Sequence, residues 1–172
     1  METSLRYGAD SKSLRFQAKE KLPVAANTLI QLNAELDTRV GAPTSVKAMI
    51  RYFFPDLSAS FDVGGQYTKQ YNLRKDKLHF NVRTKKTFPV TSDGLISFNI
   101  KGRGKTDEEF KQTSYTGAAE LVWSIFNFKK DQDLRLKVGY DVADKLPYLQ
   151  IRENNWTFNV DGDRKWNVRY DL

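Results

Sequence analysis

Apolar and polar residues alternate with a period of two along most of the chain. In residues 13–19, for example, Leu14, Phe16 and Ala18 alternate with polar side chains, and the same pattern recurs in residues 134–140 and 166–172. Because successive side chains of a β-strand point to opposite faces, this period indicates strands with one apolar and one polar face. The sequence therefore predicts an all-β protein.

Short polar and glycine-containing segments separate the runs and predict the turns. Ser92-Asp93-Gly94 and Asp161-Gly162 are typical of tight hairpin turns, and residues 37–45 and 102–109 predict longer loops. The runs recur at about 14 residues per strand and turn, which predicts an antiparallel meander of about 12 strands. Within residues 113–128 the alternation favours a strand over a helix.

The composition excludes several classes of protein. The chain has 172 residues, which predicts one domain spanning residues 1–172, and it has no cysteine and a single histidine, His79. Disulfides, thiolate metal sites and histidine-centred catalysis are therefore excluded, and the acids show no pairing that suggests an enzyme. We predict no cofactor. A mean hydropathy of −0.61 argues against a helical membrane protein. Residues 1–6 lack the apolar core of a secretory signal, and because Glu2 is acidic and strand-like sequence begins at once, no cleaved transit peptide is expected.

Positive charge is concentrated on the polar face of the predicted strands. The chain carries 28 Lys and Arg against 21 Asp and Glu, a formal net charge of +7, which favours anionic partners. The predicted cationic face, and so the predicted anion- and phosphate-binding residues, comprises Arg6, Arg15, Lys19, Lys47, Arg51, Lys77, Arg83, Lys101, Arg103, Arg135, Lys137, Arg152 and Arg169. Soluble surfaces usually intersperse both signs. Two interpretations fit this face: the lumen of a membrane β-barrel, or the surface of a soluble basic β-protein that binds nucleic acid.

Aromatic residues on the opposite, apolar face favour the membrane barrel. Several of them stand near the ends of the predicted strands: Tyr52, Phe54, Tyr67, Tyr140, Trp156, Trp166 and Tyr170. Transmembrane barrels carry such aromatic girdles at both membrane interfaces. We therefore predict a single transmembrane antiparallel β-barrel with a cationic lumen.

Longer segments resemble a known family, the 21-kDa outer envelope pore proteins of plant chloroplasts. The resemblance extends from the first residue to the last and is carried by Met1-Glu2-Thr3-Ser4-Leu5-Arg6-Tyr7-Gly8, Lys85-Lys86-Thr87-Phe88-Pro89-Val90-Thr91, Phe126-Asn127-Phe128 with Lys130-Asp131-Gln132-Asp133, residues 147–159, and Trp166-Asn167-Val168-Arg169-Tyr170-Asp171-Leu172. Segments 37–48 and 102–114 are more individual. The sequence is thus identified as similar to a plastid pore family.

The resemblance implies a voltage-dependent, rectifying, anion-selective channel that is integral to the plastid outer envelope membrane. It implies passage of triose phosphate, 3-phosphoglycerate and inorganic phosphate, with ATP and triose phosphate as regulators. The implied partners are phosphorylated small molecules, ATP and membrane lipid, and not nucleic acid. Gly102-Arg103-Gly104-Lys105 is too short for a Walker-type nucleotide loop and is predicted to be a turn.

Overall fold

Twelve β-strands close into one antiparallel barrel in a computed structural model that describes residues 1–9, 12–70, 75–129 and 132–172. Each strand pairs with its neighbours in sequence, and the first strand closes the barrel on the last through pairs such as Ser4 with Asp171. The predicted fold class and strand number are confirmed. A closed barrel leaves no unpaired sheet edge, as a spanning sheet requires.

The strands are of unequal length, with the longest in the middle of the chain. Their bounds are β1 Glu2–Gly8, β2 Ser13–Ala25, β3 Thr28–Asp37, β4 Ala42–Phe54, β5 Ala59–Gln70, β6 Lys75–Pro89, β7 Ile96–Asp107, β8 Thr113–Lys129, β9 Gln132–Asp141, β10 Leu146–Glu153, β11 Trp156–Asp161 and β12 Trp166–Asp171. A short 3-10 turn, Pro55–Leu57, connects β4 to β5. The strand predicted in residues 113–128 is confirmed as β8.

Two of the predicted loops are shorter than expected. Residues 102–109 were expected to form a loop and a turn at Gly102-Arg103-Gly104-Lys105, but β7 continues to Asp107. Gly102 and Gly104 pair with β6 on one side and with β8 on the other, so the ladder on both sides overrides the low strand preference of glycine. The loop predicted in residues 37–45 shrinks to residues 38–41. The predicted turn at Lys130 and Asp131 lies outside the described residues.

The strand register determines which residues face the interior. On the inward face the buried residues are mostly polar, and they include Ser4, Ser13, Gln31, Lys47, Asp62, Asn81, Asn99, Glu120 and Thr157. On the outward face large apolar side chains are exposed, as shown by Ile50 at 52% and Val138 at 57%. This distribution is inverted relative to a soluble protein and is typical of a transmembrane barrel. None of the described helices is long and apolar enough to cross a membrane.

The predicted aromatic residues all lie on the outward face, near the ends of the strands. Trp156 packs against Tyr170 with ring centroids 4.7 Å apart, and Tyr52 packs against Phe54 at the same distance. Such rings, apolar but with a polar atom in Trp and Tyr, suit the two membrane interfaces. Both chain termini lie at one end of the barrel, which we call the terminal end. The opposite end is the far end.

Candidate functional site

The register places every cation of the predicted set on the inward face. Arg6, Arg15 and Arg169 occupy paired positions, as do Arg83 with Arg103 and Arg135 with Arg152. Lys77 stands apart, near the far end, where it pairs with Thr68. Anion binding by these residues stays a prediction, but their common face is a geometric result.

Sequence reasoning missed further inward cations, which include Lys21, bound to Glu2 at 2.6 Å, Lys85 and Lys105. Lys85 pairs with Lys101, and Lys105 pairs with Asn81 and Ser114. The alternation that assigns Arg83 to the polar face also assigns Lys85, once β6 is extended to Pro89. Lys105 was missed because residues 102–109 were assigned to a loop. In each case the period of two was the available signal.

One hydrogen-bonded row of the barrel wall is made almost entirely of arginine. From β9 through β10, β11, β12 and β1 to β2, the paired inward residues are Arg135, Arg152, Thr157, Arg169, Arg6 and Arg15. We call these five arginines the arginine row. Because the strands of a barrel tilt, the row climbs the inner wall from the terminal end toward the far end.

The arginine row contains more positive charge than the neighbouring acids balance. Asp171 binds Arg152 at 3.1 Å and Arg169 at 2.6 Å, and Glu35 binds Arg15 at 3.1 Å. Like charges directly opposite one another in a sheet destabilise it. An anion bound between the arginines of the row therefore reduces their mutual repulsion and stabilises the barrel.

A second group of charges lines the opposite wall, on β4 to β9. The Arg51 guanidinium binds the Asp62 carboxylate through two hydrogen bonds, at 2.7 and 2.6 Å. Glu120 accepts hydrogen bonds from the Lys101 ammonium at 2.7 Å and from the Tyr148 hydroxyl. A Cβ on Gly139 would overlap the Tyr148 ring, so glycine at that position lets the ring lie across β9.

The lumen contains three adjacent cavities that share some of their lining residues. Cavity 1 has a volume of about 740 Å³ and is lined by residues that include Arg51, Lys85 and Lys101. Cavity 2 has a volume of about 920 Å³ and is lined by the arginine row from Arg152 to Arg15. Cavity 3 has a volume of about 280 Å³ and is lined by residues that include Lys19 and Lys47. Arg83 lines cavities 1 and 3, Arg103 lines cavities 1 and 2, and Arg169 lines cavities 2 and 3. Each pair of cavities thus has an arginine among its shared lining residues.

Four aspartates form a rim at the far end. The strands β3, β7, β9 and β11 each end there on an inward aspartate: Asp37, Asp107, Asp141 and Asp161. Each carboxylate accepts backbone N–H groups of the following loop, for example Ala143 on Asp141 at 2.9 Å and Lys165 on Asp161 at 2.9 Å. We call these residues the aspartate rim. Each side chain holds its turn together and also places a negative charge at the mouth.

The arrangement is suited to holding and passing anions rather than to chemical transformation. Arginine forks match the oxygens of carboxylate and phosphate, and lysine acts as a mobile point charge. Among the described residues no group of three or more His, Asp or Glu side chains could hold a metal ion.

Comparison with known proteins identifies the family. Residues 3–172 match the model of the chloroplast outer envelope pore protein OEP21 family. The chain belongs to that family. The predicted resemblance is confirmed over nearly the whole length of the sequence.

Curated relatives of the OEP21 family cover the chain completely. Outer envelope pore protein 21 of Pisum sativum is 54% identical over 177 aligned positions, and outer envelope pore protein 21A of Arabidopsis thaliana is 54% identical over 172, each with 100% of both chains covered. The protein of Oryza sativa subsp. indica is 44% identical, again over the full length of both chains. The predicted plastid outer envelope localisation and membrane integration are confirmed.

Solved structures with the same fold are porins. The KdgM porin aligns with a TM-score of 0.61 and 11% identity, covering 99% of this chain and 96% of that chain. The NanC porin aligns with a TM-score of 0.56 and 10% identity. These structures show a shared barrel fold, and the family model and the curated relatives show that the chain is a pore protein rather than an enzyme. The comparisons do not support the soluble nucleic-acid-binding alternative, and the inward cations are turned away from any outer surface on which nucleic acid would lie.

Proposed function

We propose that this member of the OEP21 family is an anion-selective channel that passes phosphorylated metabolites across the plastid outer envelope. The observation that carries the proposal is the excess of inward cations over inward acids, concentrated in the arginine row. Charged rings of one sign attract counter-ions into a pore and repel ions of the same sign. The solutes are triose phosphate, 3-phosphoglycerate and inorganic phosphate.

Passage requires that each site bind an anion weakly enough to release it. Along the arginine row the next guanidinium stands one strand away, or two strands away where Thr157 separates Arg152 from Arg169, so a phosphate that leaves one arginine moves a short distance to the next. Conduction through several sites of moderate affinity follows from this arrangement. ATP carries more negative charge than the smaller metabolites and competes for the same cations. It therefore restricts their passage, and triose phosphate competes with it.

The selectivity is tested by recording single channels in planar bilayers with asymmetric KCl. We expect the current to reverse close to the equilibrium potential of chloride, because the lumen excludes potassium. Addition of ATP should reduce the current. A reversal potential close to that of potassium, or at zero, would contradict the proposal.

Rectification follows from the uneven distribution of charge along the axis. The aspartate rim places four carboxylates at the far end, whereas arginines and lysines dominate the wall behind it. An anion that enters from the far end meets a repulsive mouth before the attractive interior. At the terminal end the inward acids Glu2 and Asp171 are each bound to two cations, Glu2 to Lys19 and Lys21 and Asp171 to Arg152 and Arg169, so an anion that enters there meets less uncompensated negative charge. The two directions of current therefore differ.

Replacement of the aspartate rim by asparagine removes the four negative charges and keeps the hydrogen bonds that hold the turns, so it tests the effect of the charge alone. The Asn oxygen still accepts the loop N–H groups that Asp141 and Asp161 accept, so the turns persist. We expect the quadruple variant Asp37→Asn, Asp107→Asn, Asp141→Asn and Asp161→Asn to lose most of the difference between currents at equal positive and negative voltages. Asp163→Asn and Asp144→Asn, in far-end loops, serve as controls. Rectification that is unchanged in the quadruple variant would exclude the aspartate rim as its cause.

A further inference from the structure

A tyrosine lies across the inner wall of the barrel instead of projecting into the lumen. Glu120 of β8, Gly139 of β9 and Tyr148 of β10 are consecutive partners in one inward-facing row of the sheet. The Tyr148 ring passes over Gly139, and its hydroxyl donates a hydrogen bond to the Glu120 carboxylate two strands away. The glycine between them therefore leaves the space that the ring occupies.

No residue larger than glycine fits at position 139 unless the ring moves. Glycine weakens the interior of a strand, because it has no side chain to pack and loses more conformational freedom on folding than other residues. A Cβ atom at Gly139 would overlap the tip of the Tyr148 side chain, at Cζ, Cε2 and the hydroxyl. The side chain can rotate about its own bonds, whereas the hydrogen-bonded strands lie behind it. A displaced ring would therefore move toward the lumen.

The carboxylate that anchors the ring is itself fixed. Glu120 is 4% exposed, and it also accepts a hydrogen bond from the Lys101 ammonium at 2.7 Å. Hydrogen bonds to a charged acceptor are roughly twice as strong as neutral ones. The position of the Tyr148 ring is thus determined by the space above Gly139 and by the carboxylate beyond it.

Tyr148 stands where two of the cavities adjoin. It lines both cavity 1 and cavity 2, as does Arg103 of β7. A ring released from Gly139 would turn into the space of these cavities and narrow it. Pore diameter is one of the properties that determine which solutes a channel admits. The orientation of this one ring therefore bears on the size of the solutes that pass.

We propose that Tyr148 determines the size limit of the pore, and that Gly139 and Glu120 hold its ring against the wall so that the pore stays wide. Tyr148 is thus a residue that determines size specificity, and Gly139 and Glu120 are positioning residues. The solutes concerned are those whose width approaches that of the lumen, whatever their charge. The inference rests on the proposed function only in that solutes cross the membrane through the lumen.

Single-channel recording of Gly139→Ala with neutral polymers tests this role. Poly(ethylene glycol) of graded mass lowers the conductance of a pore when the polymer is small enough to enter it. We expect Gly139→Ala to conduct less than the wild type and to exclude polymers that the wild type admits. The matched control is Gly65→Ala, at an outward position of β5 where the nearest atom to an added Cβ is 4.0 Å away. It should leave the conductance and the exclusion size unchanged.

The double variant Gly139→Ala, Tyr148→Ala shows whether the ring is responsible. If the added Cβ acts by displacing the ring, removal of the ring cancels its effect, so the double variant should match Tyr148→Ala alone. It should also regain at least the exclusion size of the wild type. Narrowing that persists in the double variant would overturn the proposal, as would wild-type conductance and exclusion size in Gly139→Ala.

Tyr148→Phe is a second test, which leaves the backbone unchanged and decides the question if Gly139→Ala forms no channels. Loss of the hydroxyl releases the ring from Glu120 while its bulk remains. Conductance and exclusion size should therefore fall below the wild-type values. Unchanged values would show that Glu120 does not hold the ring and would refute the proposed positioning.

Neutral polymers make the outcome independent of ion selectivity. A change of exclusion size that depends on Tyr148 establishes its role even if the reversal potential shows no preference for anions. An anion-selective channel whose exclusion size does not depend on Gly139 and Tyr148 retains the proposed function and refutes this inference.

Discussion

Val138→Arg is expected to lower the free energy of unfolding by about 2–4 kcal/mol, because it places a charge on the lipid-facing side of the barrel near mid-strand. Val138 is central among the outward residues of β9 and pairs with the outward residues Leu121 and Leu149. Its side chain is 57% exposed, so the larger arginine does not disturb an existing contact. The cost thus comes from the bilayer and not from packing. Reversible denaturant unfolding in lipid vesicles measures it.

Ala118→Arg introduces the same residue on the inward face of the adjacent strand. Ala118 lines cavity 1, which has room for the side chain, and it stands between Asp141 of β9 and Lys101 of β7. In a hydrated lumen the attraction to Asp141 offsets the repulsion from Lys101, which should keep the cost below about 1 kcal/mol. If Ala118→Arg proved more destabilising than Val138→Arg, the assignment of lumen and lipid faces would be reversed.

The sequence was sufficient to assign residues to the polar or the apolar face of each strand, because successive side chains of a strand alternate between its two faces whatever the tertiary structure. Arg51, Arg83 and Arg135 were each placed on the polar face from their immediate neighbours alone. The same local rule failed at Lys105, where two glycines suggested a turn. There the backbone conformation is determined by hydrogen bonds to the strands on both sides, and the identity of the neighbouring residues in sequence gives no information about those strands.

Which charges meet across strands could not be predicted, because register depends on turn lengths and bulges. Arg6 lies between Arg15 and Arg169 only because β1 closes the barrel against β12. The register of β3 against β4 also shifts at Glu35 and Leu36. The arginine row is therefore visible only in the structure. The aspartate rim had a sequence signal, since each of its strands ends on an aspartate before a polar turn.

The triple variant Arg6→Glu, Arg103→Glu and Arg135→Glu is expected to reverse the ion preference of the channel. The carboxylate at position 6 stands directly opposite Arg15 and Arg169. The carboxylate at position 103 stands opposite Arg83, and the one at position 135 stands opposite Arg152. These pairs favour the folded barrel, so the change acts on the lumen and not on the fold. Together the three exchanges lower the formal net charge of the chain by six units, from +7 to +1.

The expected shift is large because the sign of each charge changes. Two unit charges 4 Å apart interact by about 1 kcal/mol even in water. Because an Arg→Glu exchange changes the charge by two units, it alters the energy of an ion at that distance by about 2 kcal/mol. This energy corresponds to a change of more than tenfold in the local concentration of the ion. The reversal potential should therefore move from the chloride side toward the potassium side, with weaker block by ATP. Measurements belong at or below 0.1 M salt, where the Debye length is about 10 Å. The control variant Lys111→Glu, Lys145→Glu and Arg164→Glu makes the same charge change in the far-end loops and should keep anion selectivity. A conducting triple variant with unchanged reversal potential and unchanged ATP block would show that these arginines do not determine selectivity.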